Sequence, residues 1–230
     1  RQYEVLPNGV RGTCSISTFD RVLYFARTQI PEQDYSIGEK SGFPLASWAV
    51  PLSKDGKLIF TRKRGAEGAY AGNPYSGFGA LVSIENDIQN ETLDVRRFLQ
   101  RSVGGEVGES VWKKVNRINF TGLNYHDENS SSVNNGYDLV FEISVDSPAE
   151  KLIAELRENP QFTSKKEAVC ILAEPEKIRG FVESNPTSHS GIVGVFSYIG
   201  SRWGIEEAKK QFDIYRQTRK LDIALVFYLE

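Results

Sequence analysis

The chain has 230 residues, of which 40% are hydrophobic and 25% are charged, and its formal net charge is −2. This balance excludes a collagen-like chain and a disordered polyelectrolyte, and the length suffices for one large domain or two small ones. Two cysteines are too few for a disulfide-rich miniprotein, and no apolar run reaches the roughly 18 residues that a membrane helix needs.

The two cysteines, Cys14 and Cys170, lie far apart in the sequence. We expect two buried free thiols in a reducing compartment. The alternative is one long-range disulfide in a secreted protein, which the Asn-x-Ser/Thr triplets at Asn90, Asn119 and Asn129 would suit. No basic-then-apolar signal segment opens the chain, so we expect a cytoplasmic protein.

The first half of the chain is predicted to be rich in β-structure. Two strand-like runs, Ser47–Leu52 and Lys57–Arg62, flank the turn Ser53–Gly56. The Asp-Gly pair in that turn predicts a hairpin, because glycine supplies the positive φ that a tight turn needs. A glycine-rich loop over Gly65–Gly79 and a further strand over Phe78–Ile84 are expected to follow.

The middle of the chain predicts two helices and a linker. Thr92–Val103 begins at a capping residue and stops at a pair of glycines, and Glu109–Ile118 carries apolar residues at helical spacing. The polar stretch 124–136 has little to bury. We therefore predict a β-rich region with two helices over 1–123, joined by this linker to a second unit over 137–230.

The second unit alternates strands with helices. Its predicted strands are Tyr137–Val145, Ala168–Ala173, Gly191–Ile199 and Leu221–Leu229, and its predicted helices open at Ser147-Pro148, Pro175 and Gly204. Ser147 and Glu150 have the spacing of a capping box around the first of these helices. Apolar strands joined by helices are typical of a parallel sheet. We predict an α/β fold, mixed α+β overall, with a C-terminal four-strand parallel sheet and three crossover helices.

A parallel sheet predicts where a ligand binds, because helix N-termini gather beyond the carboxyl ends of the strands. Asp146 follows the first predicted strand and Glu174 follows the second. The segment Gly200–Gly204, with Ser201 and Arg202, follows the third. We expect these residues to emerge at one edge of the sheet.

Two chemistries are open for this edge. Asp146 and Glu174 could hold one Mg²⁺ for the hydrolysis of a phosphoester, with Arg202 stabilising the charge of the transition state. Ser201 and Arg202 could hold a phosphate or carboxylate. Alternatively, each acid only complements the positive end of a helix, and Gly200–Gly204 is an ordinary loop between a strand and a helix.

A second candidate site lies in the first half of the chain. The basic run Arg62, Lys63 and Arg64 leads into a loop that carries Tyr70 and Tyr75. Single-stranded nucleic acid binds to cations through its phosphates and to aromatic rings through its bases. The alternative is a charged strand end that discourages aggregation, and a net charge of −2 is far from that of a dedicated nucleic-acid domain.

Three functions follow from these patterns. We favour a phosphate-directed binding protein, with single-stranded nucleic acid or a phosphorylated ligand as its partner and no membrane partner. The second is a Mg²⁺-dependent phosphoester hydrolase or nuclease, with Asp146, Glu174 and Arg202 as catalytic residues. The third is a structural or assembly subunit without a catalytic site.

Overall fold

The computed structural model of the chain describes residues 3–6, 9–12, 45–63, 74–89, 92–126, 136–163 and 166–219. The described strands are, in chain order, β1 (Tyr3–Leu6), β2 (Gly9–Gly12), β3 (Leu45–Ser53), β4 (Lys57–Lys63), β5 (Tyr75–Ser76), β6 (Ile88–Gln89), β7 (Thr92–Leu93), β8 (Val115–His126), β9 (Gly136–Val145) and β10 (Lys166–Leu172). β1 pairs antiparallel with β2, and β6 pairs antiparallel with β7. The remaining strands form one mixed sheet, which is the centre of the described structure.

The main sheet has the strand order β10-β4-β3-β9-β8, and the short β5 also pairs with β4. β3 and β9 run parallel to each other, whereas the other described pairs in this sheet are antiparallel. β9 and β10 consequently point the same way although β3 and β4 lie between them. The carboxyl ends of β3, β9 and β10 therefore reach one edge of the sheet.

Helices cover both faces of this sheet. The described helices are α1 (Ile84–Asp87), α2 (Val95–Leu99), a π-helical turn (Gln100–Gly104), α3 (Gly105–Val107), α4 (Glu109–Trp112), α5 (Ala149–Glu158), α6 (Pro160–Thr163), α7 (Pro175–Ser184), α8 (His189–Trp203) and α9 (Ile205–Arg219). α7, α8 and α9 pack on one face, and α5, α6 and the helical segments from α2 to α4 pack on the other. The arrangement has three layers, with the sheet in the middle.

Each face of the sheet has its own apolar core. Phe60 of β4 is fully buried in the core that includes Phe196 of α8. Its neighbour Ile59 is buried in the opposite core, with Phe141 of β9 and Leu152 of α5. Successive side chains of a strand point to opposite faces, so the continuous apolar sequence of β4 supplies both cores at once.

The predicted hairpin is confirmed. β3 and β4 are joined by a turn in which Gly56 has a φ of 71°, a conformation that costs glycine little because it has no Cβ. The turn also holds its neighbours at the edge of the sheet. The Lys54 amide donates to the carbonyl of Ser147 at 3.0 Å, and the Ala173 amide donates to the carbonyl of Gly56 at 2.9 Å.

The first amide of α5 is capped from the hairpin, not by the predicted capping box. The Ala149 amide donates to Oδ1 of Asp55 at 2.8 Å, whereas the buried hydroxyl of Ser147 has no hydrogen-bond partner among the described residues. The neighbouring Ser53 hydroxyl and the Ala149 amide lower the pKa of Asp55 to about 2. A residue distant in sequence therefore supplies the cap.

The prediction of a strand over Gly191–Ile199 is wrong, because this segment belongs to α8. The helix begins at a cap, where the Ser188 hydroxyl accepts a hydrogen bond from the Gly191 amide at 3.0 Å. From Gly194 to Gly200 every residue of the helix is buried. Its apolar residues therefore form a continuous run, and such a run does not distinguish a buried helix from a buried strand.

The predicted four-strand parallel sheet is likewise replaced by the mixed sheet. The first two predicted strands are present as β9 and β10, but β3 and β4 from the first half of the chain separate them. The fourth predicted strand, Leu221–Leu229, lies outside the described residues. The predicted linker contributes its ends to β8 and β9, and residues 127–135 also lie outside the described ranges.

Of the two helices predicted for the middle of the chain, the first begins later and continues past the glycine pair to Val107 as α2, the π-helical turn and α3, and the second is shorter than predicted. α2 begins later than the predicted helix Thr92–Val103, because Asp94 is the residue whose side chain accepts the hydrogen bond from the Arg97 amide, at 3.0 Å. The helix predicted over Glu109–Ile118 is reduced to α4, and β8 takes the rest of that segment.

Across the described ranges, no helix combines the length and the apolar character that a membrane span requires. Cys170 on β10 is a half-buried free thiol, and Cys14 lies outside the described residues.

Candidate functional site

Strand ends and the hairpin turn meet at the edge of the sheet where a ligand site is expected. Asp146 directly follows β9, Glu174 comes shortly after β10, and the turn between β3 and β4 lies between them. Lys54 Nζ in that turn lies 3.0 Å from Oδ1 of Asp146, with side chains 69% and 58% exposed. The carboxylate of Asp146 is thus already paired with Lys54, and both side chains are exposed to solvent.

Asp146 and Glu174 do not lie side by side. Two strands separate the strands that precede them, a distance of about 14 Å at the usual inter-strand spacing of about 4.8 Å. Mg²⁺ binds its oxygen ligands at about 2.1 Å. In the part of the chain that is described, no group of three or more His, Cys, Asp or Glu side chains could hold a metal ion. These residues therefore assemble no shared ion site, and the magnesium ion stays a prediction.

Glu174 occupies the capping position of α7. It is exposed and makes no side-chain hydrogen bond to the first amides of the helix. A negative charge at a helix N-terminus is favourable by about 0.3–1 kcal/mol without any ligand. The helix therefore accounts for this acid by itself.

The segment Gly200–Gly204 differs from its prediction. It is the end of α8 and the junction with α9, where Gly204 has a φ of 91°, and not a loop after a strand. The hydroxyl of Ser201 donates to the carbonyl of Tyr198 at 3.0 Å. That hydroxyl is thus used within its own helix, whereas the side chain of Arg202 reaches the sheet.

Arg202 reaches Glu142, a buried acid in the middle of β9. Oε1 of Glu142 accepts hydrogen bonds from Asn119 Nδ2 at 2.9 Å and from the Ser144 hydroxyl at 3.2 Å. Oε2 lies 3.4 Å from Nε of Arg202, with the acid side chain 2% exposed and the arginine side chain 44% exposed. Oε2 accepts no hydrogen bond from the described residues. Because an unpaired buried carboxylate is costly, the acid holds Arg202 at this position.

The hydroxyl of Tyr198 is a second buried polar group at this position. Tyr198 is 1% exposed, and the proton of its hydroxyl has no acceptor among the described residues. Burial, and then the charge of Glu142, raise the pKa of Tyr198 to about 12, against the opposing charge of Arg202 and a hydrogen bond that Arg202 donates to the phenol oxygen. The phenol therefore keeps its proton at neutral pH and remains a donor. We call Asn119, Glu142, Ser144, Tyr198 and Arg202 the acid–arginine cluster.

Strand pairing and helix periodicity bring the cluster together. β8 pairs with β9 so that Asn119 lies opposite Glu142. Tyr198 and Arg202 are four residues apart on α8 and therefore share a face of the helix. The ring of Trp203, 41% exposed, packs edge-on against Tyr198 with centroids 5.7 Å apart. The cluster thus lies under the end of α8, with an aromatic ring at its rim.

A second acid–arginine pair is built differently. Asp87 is 0% exposed, and Arg101 donates to it twice, from Nε to Oδ1 at 2.9 Å and from Nη2 to Oδ2 at 2.6 Å. The Ser83 amide adds a third bond, to Oδ2 at 2.7 Å. Burial alone would raise the pKa of Asp87, but these hydrogen bonds outweigh burial and lower the pKa. Both oxygens of Asp87 are in use, whereas Oε2 of Glu142 is not.

Sequence inspection missed Glu142 because its strand was treated as one apolar run. The available signal was the position of the residue within that strand. Alternate residues face one side, so Glu142 shares a face with Val140, which is fully buried. Charged residues are almost never fully buried unless they are paired. An acid at an inward strand position therefore predicts a cation partner, here Arg202.

The predicted nucleic-acid site has two described side chains, and both are engaged within the protein. Tyr75 is 7% exposed, and its ring packs edge-on against Phe181 with centroids 5.1 Å apart. The guanidinium of Arg62 lies 5.1 Å from the centre of the Tyr75 ring and forms an ion pair with Glu167. A covered ring cannot stack on a base.

The other three residues predicted to contact nucleic acid provide no structural evidence for such a site. Lys63 is the last residue of β4, and Arg64 and Tyr70 lie outside the described residues. Nucleic-acid binding, the function that the sequence favoured, is therefore unsupported.

The acid–arginine cluster combines three chemical capacities. The half-exposed guanidinium of Arg202 presents a planar set of donors that suits phosphate or carboxylate. The Glu142 oxygen without a hydrogen-bond donor can accept a proton. The Tyr198 hydroxyl can donate a hydrogen bond. An anion holder, a base and a donor lie together at this site.

Comparison with known proteins adds little to this description. No protein-family model and no curated protein matches the chain. Among the solved structures that resemble it, a protein from Deinococcus radiodurans is 14% identical, with a TM-score of 0.41, over 67% of this chain and 81% of its own. A candidate Nudix hydrolase is 13% identical, with a TM-score of 0.39, over 81% and 86%. A MutT/Nudix family protein from Enterococcus faecalis is 8% identical, with a TM-score of 0.36, over 89% and 93%. Likeness at this level assigns no activity, and the function has to be argued from the residues of this chain.

Proposed function

We propose that the protein hydrolyses phosphoesters and that Arg202 holds the phosphoryl group of the substrate. The observation that carries this proposal is the pairing of a half-exposed arginine with a buried acid, Nε to Oε2 at 3.4 Å. The acid fixes one side of the guanidinium, and the other side remains open to solvent. An arginine placed in this way can bind an oxyanion with little loss of side-chain entropy.

Stability alone does not explain such a pair. A buried or half-buried ion pair is often no more stabilising than apolar residues of the same volume. The pair of Glu142 and Arg202 also lacks the direct hydrogen bonds that would make it a strong contact. This favours a role for the arginine outside the fold, toward a ligand.

A phosphorylated small molecule suits this site better than nucleic acid does. The arginine lies beside the half-exposed ring of Trp203, and the described basic side chain of the predicted nucleic-acid site is already paired. Mg²⁺ would supply charge neutralisation if Asp146 or Glu174 bound it separately. The proposal assigns no step to the ion, because the two acids do not come together.

The proposal is tested by measuring phosphate release from a phosphomonoester, a phosphodiester and inorganic pyrophosphate, with Mg²⁺, with Mn²⁺ and with EDTA. Arg202→Lys keeps the charge and loses the planar donor set, and we expect it to lower kcat/KM about tenfold or more. Arg157→Lys is the matched control, because Arg157 also lies in the last turn of its helix, on the other face of the sheet. This control should keep the activity of the unchanged protein.

Two results would overturn the proposal. One is the absence of phosphate release from every substrate under every condition. The other is release that Arg202→Lys and Arg157→Lys leave equally unchanged. A labelled single-stranded oligonucleotide at about 50 mM salt is measured in parallel, and binding that depends on Arg62 and not on Arg202 would support nucleic acid instead.

A further inference from the structure

We infer that Glu142 is the base of the reaction, taking a proton from an attacking water that its Oε2 and the hydroxyl of Tyr198 hold beside Arg202. This inference rests on the proposed phosphoester hydrolysis and goes beyond it by naming the group that activates the nucleophile. The geometry that carries it is a pair of buried polar groups: Oε2 of Glu142 accepts no hydrogen bond from the described residues, and the Tyr198 hydroxyl, whose oxygen accepts from Arg202, has no described acceptor for its proton.

Unpartnered buried atoms of this kind are rare in folded proteins, and each one calls for an explanation. Oε2 of Glu142 can only accept a hydrogen bond, and the Tyr198 hydroxyl can both donate and accept. A water molecule satisfies both groups at once, since it donates to the carboxylate and accepts from the phenol. The two groups, which lie close enough for the charge of Glu142 to raise the pKa of Tyr198, thus offer one acceptor and one donor.

Asp87 is a buried acid of the molecule with a different arrangement. Three donors bind the two oxygens of Asp87, so each oxygen already accepts a hydrogen bond within the protein. Glu142 has one oxygen saturated by Asn119 and Ser144, and the other stands only at ion-pair distance from Arg202. The first oxygen fixes the carboxylate, and the second is available.

The contact between Arg202 and Glu142 also fits such a role. No hydrogen bond joins Nε to Oε2, so a water that donated to Oε2 would replace none. The exposed part of the guanidinium would hold the phosphoryl oxygens. Water, base and phosphorus would then be neighbours, as hydrolysis requires.

The chemical step balances with these groups. The water oxygen forms a bond to phosphorus, one water proton passes to Oε2 of Glu142, and the bond from phosphorus to the ester oxygen breaks. The leaving oxygen takes a proton from solvent, and the Glu142 carboxyl returns its proton to solvent. The products are the alcohol and phosphate, and Arg202 stabilises the charge on the phosphoryl oxygens throughout.

The test separates the base from the anion holder. Glu142→Gln keeps the size of the side chain and loses its basicity, and we expect kcat to fall about 100-fold or more with KM nearly unchanged. Glu155→Gln is the matched control, because Glu155 is a partly buried acid paired with Lys114 on the opposite face.

Tyr198→Phe provides a second variant in case Glu142→Gln does not fold. It removes only the hydroxyl, and we expect a fall in kcat with no change in the affinity for inorganic phosphate, measured by calorimetry. If the unchanged protein releases phosphate and both variants keep its kcat, or if Glu142→Gln weakens phosphate binding alone, Glu142 positions Arg202 and is not the base. If the unchanged protein releases no phosphate, the proposed function itself has failed.

Discussion

The pair of Arg101 with Asp87 and the pair of Arg202 with Glu142 both join a guanidinium to a buried carboxylate, and they differ in how many hydrogen bonds the carboxylate accepts. Arg101 donates twice to Asp87 at 2.9 and 2.6 Å, whereas Arg202 stands 3.4 Å from Glu142 without a hydrogen bond to Oε2. Both acids are buried, and both arginines are partly exposed. Asp87, with both oxygens hydrogen-bonded, serves to stabilise the fold. Glu142 has one oxygen that accepts no hydrogen bond from the described residues, and this oxygen can still bind a ligand.

This difference matters because the effect of a buried charge on stability depends on the groups that pair with it. Removal of one partner from a well-formed buried pair costs about 3–5 kcal/mol, since the other charge is left without compensation. A carboxylate that keeps hydrogen bonds from other residues loses less. Glu142 keeps those from Asn119 and Ser144, and the two pairs should therefore respond differently to the same substitution.

The largest expected effect is that of Arg101→Ala compared with Arg202→Ala. We expect Arg101→Ala to lower the free energy of unfolding by about 3–5 kcal/mol and Arg202→Ala to lower it by about 1–2 kcal/mol. Urea denaturation followed by circular dichroism measures both. Equal losses in the two variants would remove the distinction between a pair that serves the fold and a pair that serves a ligand.

Asp55→Ala should have an intermediate effect, because this acid is exposed but accepts a hydrogen bond from the first amide of α5. Loss of a helix cap costs about 1 kcal/mol.

The pKa of Asp55 is lowered to about 2 in the folded protein, against about 3.9 in an unfolded chain. Its contribution is therefore present above about pH 4 and is lost as the pH falls toward 2. Stability measured against pH should show the unchanged protein and Asp55→Ala converging in that window, and a constant difference across it would contradict the assignment.

The smallest expected effect is that of Lys54→Ala. The ion pair of Lys54 with Asp146 is as short as 3.0 Å, but both side chains are largely exposed. Exposed pairs of this kind contribute about 0.2–1 kcal/mol, and salt screens them. We expect Lys54→Ala to lower the free energy of unfolding by an amount near the lower end of this range, and we expect the difference to disappear in high salt. A larger loss that persists in high salt would mean that the sheet edge depends on this pair.

The sequence predicted local elements well where a local signal existed. The Asp-Gly turn between β3 and β4, the strand that became β9 and the helix that opens at Pro175 each have a signal of their own in the sequence. The segment that forms α8 lacks such a signal, because its buried apolar residues form a continuous run and do not recur at helical spacing. Burial on all sides removes the periodicity on which the prediction depends.

The order of the strands and the acid–arginine cluster depend on contacts between distant residues. Nothing local indicates that β3 pairs with β9, or that β4 separates β3 from β10. Arg202 was singled out as an anion holder, but its partner Glu142 was not, because the pairing requires α8 to cross β9. The sequence alone can indicate that Glu142 faces inward, but it cannot indicate which cation pairs with it.

The parallel pairing of β3 with β9 has a consequence for how the chain folds. Leu45 lies beside Tyr137, and the register continues to Ser53 beside Val145, so the centre of the sheet joins segments that leave the ribosome far apart in time. Contacts at such long sequence separation slow folding, and domains of this size expose unpaired strands while they wait. In a nascent chain that has not yet reached β9, the β3–β4 hairpin lacks β9 along one long side and β10 along the other. The hairpin is then the segment on which a chaperone, or a neighbouring copy of the same unfinished chain, has the longest time to act.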